Sequence, residues 1–273
     1  MKYQLRDYQK KASDAAVMCF KMKSGRNGLL VLPTGAGKSL IIADIAARLE
    51  EPLIVFQPNK EILEQNFAKL QTYGIWDCSI YSASVGRKEI SRITFATIGS
   101  VIRHMKDFQH FKNILIDECH LVKPSDGMYK RFFEQAERRI VGLTATPYRL
   151  YSCMNGSMLK FLTRTRPRVF SQVLYYCQVS ELLAKGFLSR LKYYDVTRID
   201  LTKVRRNSSG ADFDDASLSD EFRRVDLYGY LISIVKRLLH PKVGGARKGM
   251  LVFTRFTAEA EMLAREIPDS AVV

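Results

Sequence analysis

The sequence predicts a doubly wound α/β domain with a mostly parallel sheet, followed by a connector and the start of a second α/β unit. Three observations point there. Short apolar runs are continuous rather than alternating, as in parallel strands covered on both faces. Amphipathic segments separate them, and a glycine-rich turn joins one run directly to one such segment.

Taken in order, a helix is expected over about Asp7 to Met22, before the first run. The runs GLLVLP (28–33), PLIVFQP (52–58), RITFAT (92–97), NILIDE (113–118) and RIVGLTAT (139–146) read as strands. Helical spacing occupies Lys38–Leu49, Lys60–Tyr73, Ile98–Met105 and Met128–Ala136, with Leu63, Phe67 and Leu70 one example of an apolar stripe. Strict alternation of strand and helix is the pattern of a doubly wound sheet. Residues 1–149 therefore form one domain.

The pattern changes after Arg149. Residues 150–192 hold seven Lys or Arg against one acid, Glu181, interleaved with Tyr151, Phe161, Phe170, Tyr175 and Tyr176. This basic, aromatic stretch either stacks bases of a nucleic acid or forms core, and both readings stay open. RRNSSGADFDDASLSD (205–220) is rich in turn formers and reads as a loop, completing a connector over 150–219. A helix is expected at about 220–239, a strand at MLVFTRF (250–256) and a helix at 257–267, so 220–273 reads as the N-terminal part of a second domain.

Composition bounds the partners. The 273 residues carry 43 Lys and Arg against 28 Asp and Glu, a formal net charge of +15, which points to a polyanion such as nucleic acid. No apolar run is long enough to span a bilayer, and the N-terminus lacks the apolar core of a signal peptide, so a soluble, cytoplasmic protein is expected. Five cysteines, widely spaced and without a CxxC pair, argue against a disulfide framework and a zinc ribbon.

Two motifs carry chemistry. PTGAGKS (33–39) follows a buried strand and opens a helix, the context a phosphate loop requires. Gly35 and Gly37 let backbone N–H groups close on phosphate oxygens beside Pro33, Thr34 and Ala36; Lys38 would reach the β- and γ-phosphates, and the Ser39 hydroxyl would ligate Mg²⁺. The first glycine of the longer G-x-x-x-x-G-K-[ST] form is replaced by Leu32. ILIDECH (114–120) ends a strand in two carboxylates, where ligands of open α/β sheets gather. Asp117 is suited to hold Mg²⁺ through water and Glu118 to orient and polarise an attacking water.

PTGAGKS, DECH and TATP (144–147), in that order, resemble the motor core of superfamily 2 helicases, specifically their DExH branch and the restriction-helicase group. LRDYQKKA (5–12) is similar to an adenine-recognising Q-type motif, which implies that Gln9 reads the adenine edge with Arg6 near the base. IVFQPNKEILEQ (54–65) and FATIGSV (95–101) resemble motifs Ia and Ib, implying that Pro58, Asn59, Thr97 and Ser100 hold a nucleic-acid backbone. The resemblance also implies two RecA-like domains, ATP and Mg²⁺ as cofactors, and His120, Thr144 and Thr146 as the coupling between nucleotide and nucleic acid. Gln9, Thr97 with Ser100, and His120 also have plainer readings, as a polar helix face, a helix cap and a turn residue. MLVFTRFTAEAEMLA is similar to motif IV of the second domain, and TATPYRL with KGFLSRLKYY (185–194) is most similar to RadD-type bacterial DNA-repair helicases.

The resemblance implies an ATP-dependent DNA helicase or translocase. The arginine-finger element Q-x-x-G-R-x-x-R has no counterpart after Ile267, so impaired turnover is expected, with Arg149 and Arg255 the candidates for partial substitutes. Two other functions remain in view: the motor subunit of a restriction or remodelling complex, and a nucleic-acid-binding module without catalysis. A small-molecule P-loop kinase is disfavoured by the Asp117–Glu118 pair together with His120 and TATP.

Overall fold

The computed structural model describes residues 4–22, 26–153, 156–191, 199–208, 210, 212–242, 245–247 and 249–273. Two compact units divide the chain, the first made of residues 1–153 and 157–191, the second of 154–156 and 192–273.

In the first unit, helix α1 (Asp7–Lys21) precedes strand β1 (Gly28–Val31), helix α2 (Lys38–Arg48), strand β2 (Leu53–Phe56) and helix α3 (Lys60–Thr72). Strands β3 (Cys78–Ser82), β4 (Arg87–Lys88) and β5 (Ile93–Ala96) follow, then helix α4 (Ile98–Val101), strand β6 (Asn113–Ile116), helix α5 (Met128–Phe133) and strand β7 (Arg139–Thr144). A two-stranded ribbon, β8 (Tyr148–Cys153) with β9 (Gly156–Phe161), leads to strand β10 (Gln172–Tyr176) and helix α6 (Val179–Ala184).

The main sheet has the order β10-β1-β7-β6-β2-β5-β3-β4 and is parallel except for the β3/β4 pair. Its central strands feed both faces by simple alternation. In β2, Leu53 and Val55 join the core shared with α1, α2 and α3, while Ile54 and Phe56 join the opposite core with Phe108, Phe111 and Phe132. All are fully buried, each contributing roughly 1.5–3 kcal/mol of hydrophobic stabilisation. This is why every one of the five expected strands forms.

Other expectations need correction. Residues 172–191, placed by sequence in a connector, complete the first sheet as an edge strand and a helix. Phe170 is core, 2% exposed, and Phe161 packs against the same cluster, so these two rings are not a stacking surface. Tyr175 packs against the other core; Tyr176 stays exposed. The expected helix at 98–105 is shorter, a single turn of α4 followed by a 3₁₀ turn at Met105–Phe108.

In the second unit, helix α7 (Asp215–Arg224) starts inside the expected loop, because Asp214 caps it by accepting from the Ser217 N–H at 2.9 Å. Helix α8 (Leu227–Leu239) is separated from α7 by Asp226, whose φ of 46° breaks the single helix expected over 220–239. Residues 250–256 form no strand, and Leu251 and Phe253 are 85% and 90% exposed. A strand needs a neighbour for its backbone groups, and no ladder exists among the described residues of this unit. Helix α9 (Thr257–Glu266) forms as expected. Residues 192–194 of the KGFLSRLKYY segment lie outside the described residues.

Candidate functional site

Parallel strands put their carboxyl ends on one edge of the sheet, and β1, β7 and β6 are consecutive there. The turn 32–37 leaves β1, residues 117–120 leave β6, and Thr144 ends β7. Chain-distant motifs are thereby brought together by strand order alone.

The glycine-rich turn bends at Gly35 and Gly37, with φ of 81° and 76°. A Cβ on Gly37 would lie 2.5 Å from Gln9 Nε2 and would have to displace that amide, and the positive φ strains any side chain there. Leu32 is fully buried, and its N–H donates to the Thr144 carbonyl at 3.0 Å. The residue replacing the first glycine thus belongs to the core and the sheet edge, upstream of the glycine-rich turn.

Ala36 ties the turn to α1. Its carbonyl accepts from Tyr8 Oη and Gln9 Nε2, each at 2.9 Å, while Gln9 Oε1 accepts the Arg6 N–H at 2.9 Å. Gln9 is 3% exposed and uses both ends of its amide within the protein. Arg6 is exposed, with its guanidinium 4.1 Å from the Phe187 ring centroid.

Lys38 Nζ donates to Glu118 Oε1 at 2.6 Å, both side chains being mostly buried. His120 Nδ1 lies 3.3 Å from Glu118 Oε2 and 3.0 Å from Thr144 Oγ1, which in turn accepts the Thr146 N–H at 3.0 Å. An unbroken polar chain therefore runs from Lys38 through Glu118, His120 and Thr144 to Thr146. Glu118 adopts φ 46°, a conformation that costs a residue with a Cβ about 1–2 kcal/mol and is held here by its surroundings.

Asp117 is 5% exposed and accepts from Asn66 Nδ2 at 3.1 Å and from the Glu118 N–H at 3.0 Å. Burial pushes its carboxyl above the ordinary aspartate range; the nearby Lys38 charge opposes this and the Glu118 charge adds to it. Asn66 also donates to Gln57 at 3.0 Å. No sequence motif marks Asn66 and Gln57 as a pair, although Asn66 is a polar residue on the buried face that carries Leu63, Phe67 and Leu70. Cys119 faces Gly142 of β7, where a Cβ would meet its sulfur at 2.6 Å, so the glycine lets the acidic turn pack onto the strand.

Of the expected nucleic-acid residues, Asn59, Thr97 and Ser100 hydrogen-bond with neighbours of their own. Asn59 caps α3, accepting from the Ile62 N–H at 2.9 Å, and Pro58 is half-buried. Thr97 Oγ1 lies 3.2 Å from Ser82 Oγ and 2.9 Å from Ser100 Oγ, and Ser100 accepts the Ala83 N–H at 2.9 Å. These hydroxyls gather at the carboxyl ends of β3 and β5. The two arginines considered as finger substitutes are engaged elsewhere: Arg149 donates to the Val122 carbonyl, and Arg255 pairs with Asp212 at 3.1 Å and Asp215 at 2.9 Å.

Residues 2–149, just over half of the chain, match the family described as type III restriction enzyme, res subunit. The chain belongs to this family. It carries a helicase- or translocase-like ATPase core of superfamily 2 on an α/β fold with a mostly parallel eight-stranded sheet. Among curated relatives, the DNA 3'-5' translocase XPB2 of Sulfurisphaera tokodaii is 29% identical over 151 residues, covering 54% of this chain and 32% of that protein. The DNA 3'-5' helicase XPB of Mycobacterium tuberculosis is 29% identical over 154 residues, 53% of this chain and 27% of the relative. The chain thus spans about a third or less of the length of these relatives. A nuclease-deletion mutant of the Type ISP restriction-modification enzyme LlaGI, solved in complex with a DNA substrate mimic, shares the fold at 14% identity with a TM-score of 0.50, over 67% of this chain and 18% of that one. No helix among the described residues is long and apolar enough to cross a membrane.

Proposed function

We propose that the first unit binds ATP with Mg²⁺ at the carboxyl edge of β1, β7 and β6, hydrolyses it, and uses the cycle to move along or open a nucleic acid, with DNA the preferred partner. The observation carrying this reading is the polar chain from Lys38 to Thr146, which joins the phosphate loop to the acidic turn and to the end of β7.

In this reading Lys38 draws its ammonium from Glu118 to the β- and γ-phosphates, and the backbone at Pro33, Thr34, Gly35, Ala36 and Gly37 surrounds the phosphate oxygens. The residues suit Mg²⁺: Ser39 supplies a hydroxyl and Asp117 a buried carboxylate held by two donors, and a metal there would neutralise the charge on the transferred phosphoryl group. Glu118, released from Lys38, orients the attacking water and takes its proton. His120 and Thr144 pass the position of Glu118 to Thr146, and Pro58, Asn59, Thr97 and Ser100 hold the nucleic-acid backbone. The DECH residues at 117–120 support a DExH-type motor, and the TATPYRL segment supports a RadD-type role in DNA repair. Residues 220–273 are proposed as part of a second RecA-like domain, on the motif IV likeness of 250–264.

A second reading, the translocating subunit of a restriction-like complex, is favoured by the family match of residues 2–149. Isothermal titration with Mg-ATP, and phosphate release with and without single-stranded DNA, test the first. The wild-type chain should bind ATP, and Lys38→Ala should lose most of that affinity. Binding unaffected by Lys38→Ala would sink the assignment of the phosphate loop.

A further inference from the structure

Phe187 lies outside every segment that the sequence tied to nucleotide. After α6, Gly186 takes φ 67° and its N–H donates to the Leu183 carbonyl at 3.1 Å, while the Phe187 N–H turns back to the Leu182 carbonyl at 2.8 Å. This helix end reverses the chain, as glycine termini do, and folds Phe187 and Leu188 onto the N-terminal part of the unit. There the Phe187 ring supports the Arg6 guanidinium at 4.1 Å and meets the Tyr8 ring at 5.8 Å. Leu188 reaches the phosphate turn itself, 3.0 Å from where a Cβ on Gly35 would stand.

We propose that Phe187 is a positioning residue for the purine ring of the nucleotide. Resting on the proposed ATP site, this inference adds what holds the base. Gln9 is buried and both ends of its amide are engaged, whereas Arg6 is exposed with its guanidinium carbon over an aromatic ring. A guanidinium carried over an aromatic ring leaves its other side open, and a base can stack there. Phe187 fixes the plane of Arg6, Tyr8 buttresses Phe187 and donates to Ala36, and Leu188 closes the gap to the phosphate turn. The base end and the phosphate end are thus spanned by one four-residue stretch, 185–188, just before the chain enters the second unit's main segment at residue 192.

The test uses the 273-residue chain and two probes, Mg-ATP and inorganic tripolyphosphate, by titration calorimetry. Phe187→Ala should weaken ATP binding about five- to fiftyfold, the range of a lost cation–aromatic platform and base stack. Tripolyphosphate, which has no base, should bind within about twofold of wild type, because the phosphate loop is intact. Phe187→Leu keeps the apolar packing and should show the same selective loss, and Phe187→Tyr should restore affinity. Unchanged ATP affinity, or an equal loss for both probes, would overturn the proposal. Wild-type protein that binds tripolyphosphate but gains nothing from the base would overturn it too, while leaving the phosphate loop standing; wild type that binds neither probe would overturn the ATP reading and this proposal with it.

Discussion

Glu118→Gln should tighten ATP binding while suppressing hydrolysis. The Lys38–Glu118 contact at 2.6 Å joins two charged groups whose side chains are 14% and 25% exposed. A charge-assisted hydrogen bond of this kind contributes about 1.5–3 kcal/mol, and a phosphate that recruits Lys38 has to replace it. Glutamine keeps an acceptor oxygen but loses the charge, which removes about half of that contribution. ATP affinity should therefore rise about three- to tenfold. Loss of the carboxylate also removes the group proposed to orient and deprotonate water, so single-turnover phosphate release should fall by about 10²–10⁴. Calorimetry with Mg-ATP and a phosphate-release assay read the two effects separately. A variant that binds ATP no more tightly than wild type would refute the competition for Lys38, and one that hydrolyses it at the wild-type rate would refute the role of Glu118.

Three further outcomes are expected. Gly37→Ala places a methyl group 2.5 Å from Gln9 Nε2 at φ 76°, so strain plus the lost Gln9–Ala36 hydrogen bond should destabilise the first unit by about 2–3 kcal/mol in urea denaturation. Because burial raises the Asp117 carboxyl, the folded state binds more protons than the unfolded one between the unfolded and folded pKa values; Asp117's stabilising contribution is complete in acid and declines as pH rises from about 3.9 through the raised value. Asp117→Asn should remove that decline, and a wild-type-minus-variant stability difference that instead grows with pH would contradict the assignment. Thr97→Val breaks the hydroxyl cluster with Ser82 and Ser100 and should weaken single-stranded DNA binding a few fold, yet leave the salt dependence unchanged, because no charge is lost.

The strands were legible wherever apolar residues fill both faces. Leu53 to Phe56 and Ile114 to Ile116 are apolar at every position because each residue meets one of two cores. Edge and hairpin strands were not, since β3 carries Ser79 and Ser82 and β10 has exposed Val173 and Tyr176, so their patterns resemble loop. The interruption at Asp226 was hidden inside an apolar stripe that reads as one helix, because a single positive φ has no periodic signature.

The sequence by itself determined the chemistry proposed for the site. PTGAGKS and DECH name their residues because phosphate cradles and metal-positioning carboxylates demand particular side chains at fixed short spacing. Only the tertiary structure decided who meets whom: that Lys38 lies on Glu118, that His120 reaches Thr144, that Asn66 joins Gln57 to Asp117, and that Phe187 returns to Arg6. Those contacts join residues 24 to 181 positions apart, except for Gln57 with Asn66, nine apart. They follow from the order of strands in the sheet and from one reversal of chain at Gly186, neither of which leaves a local pattern to read.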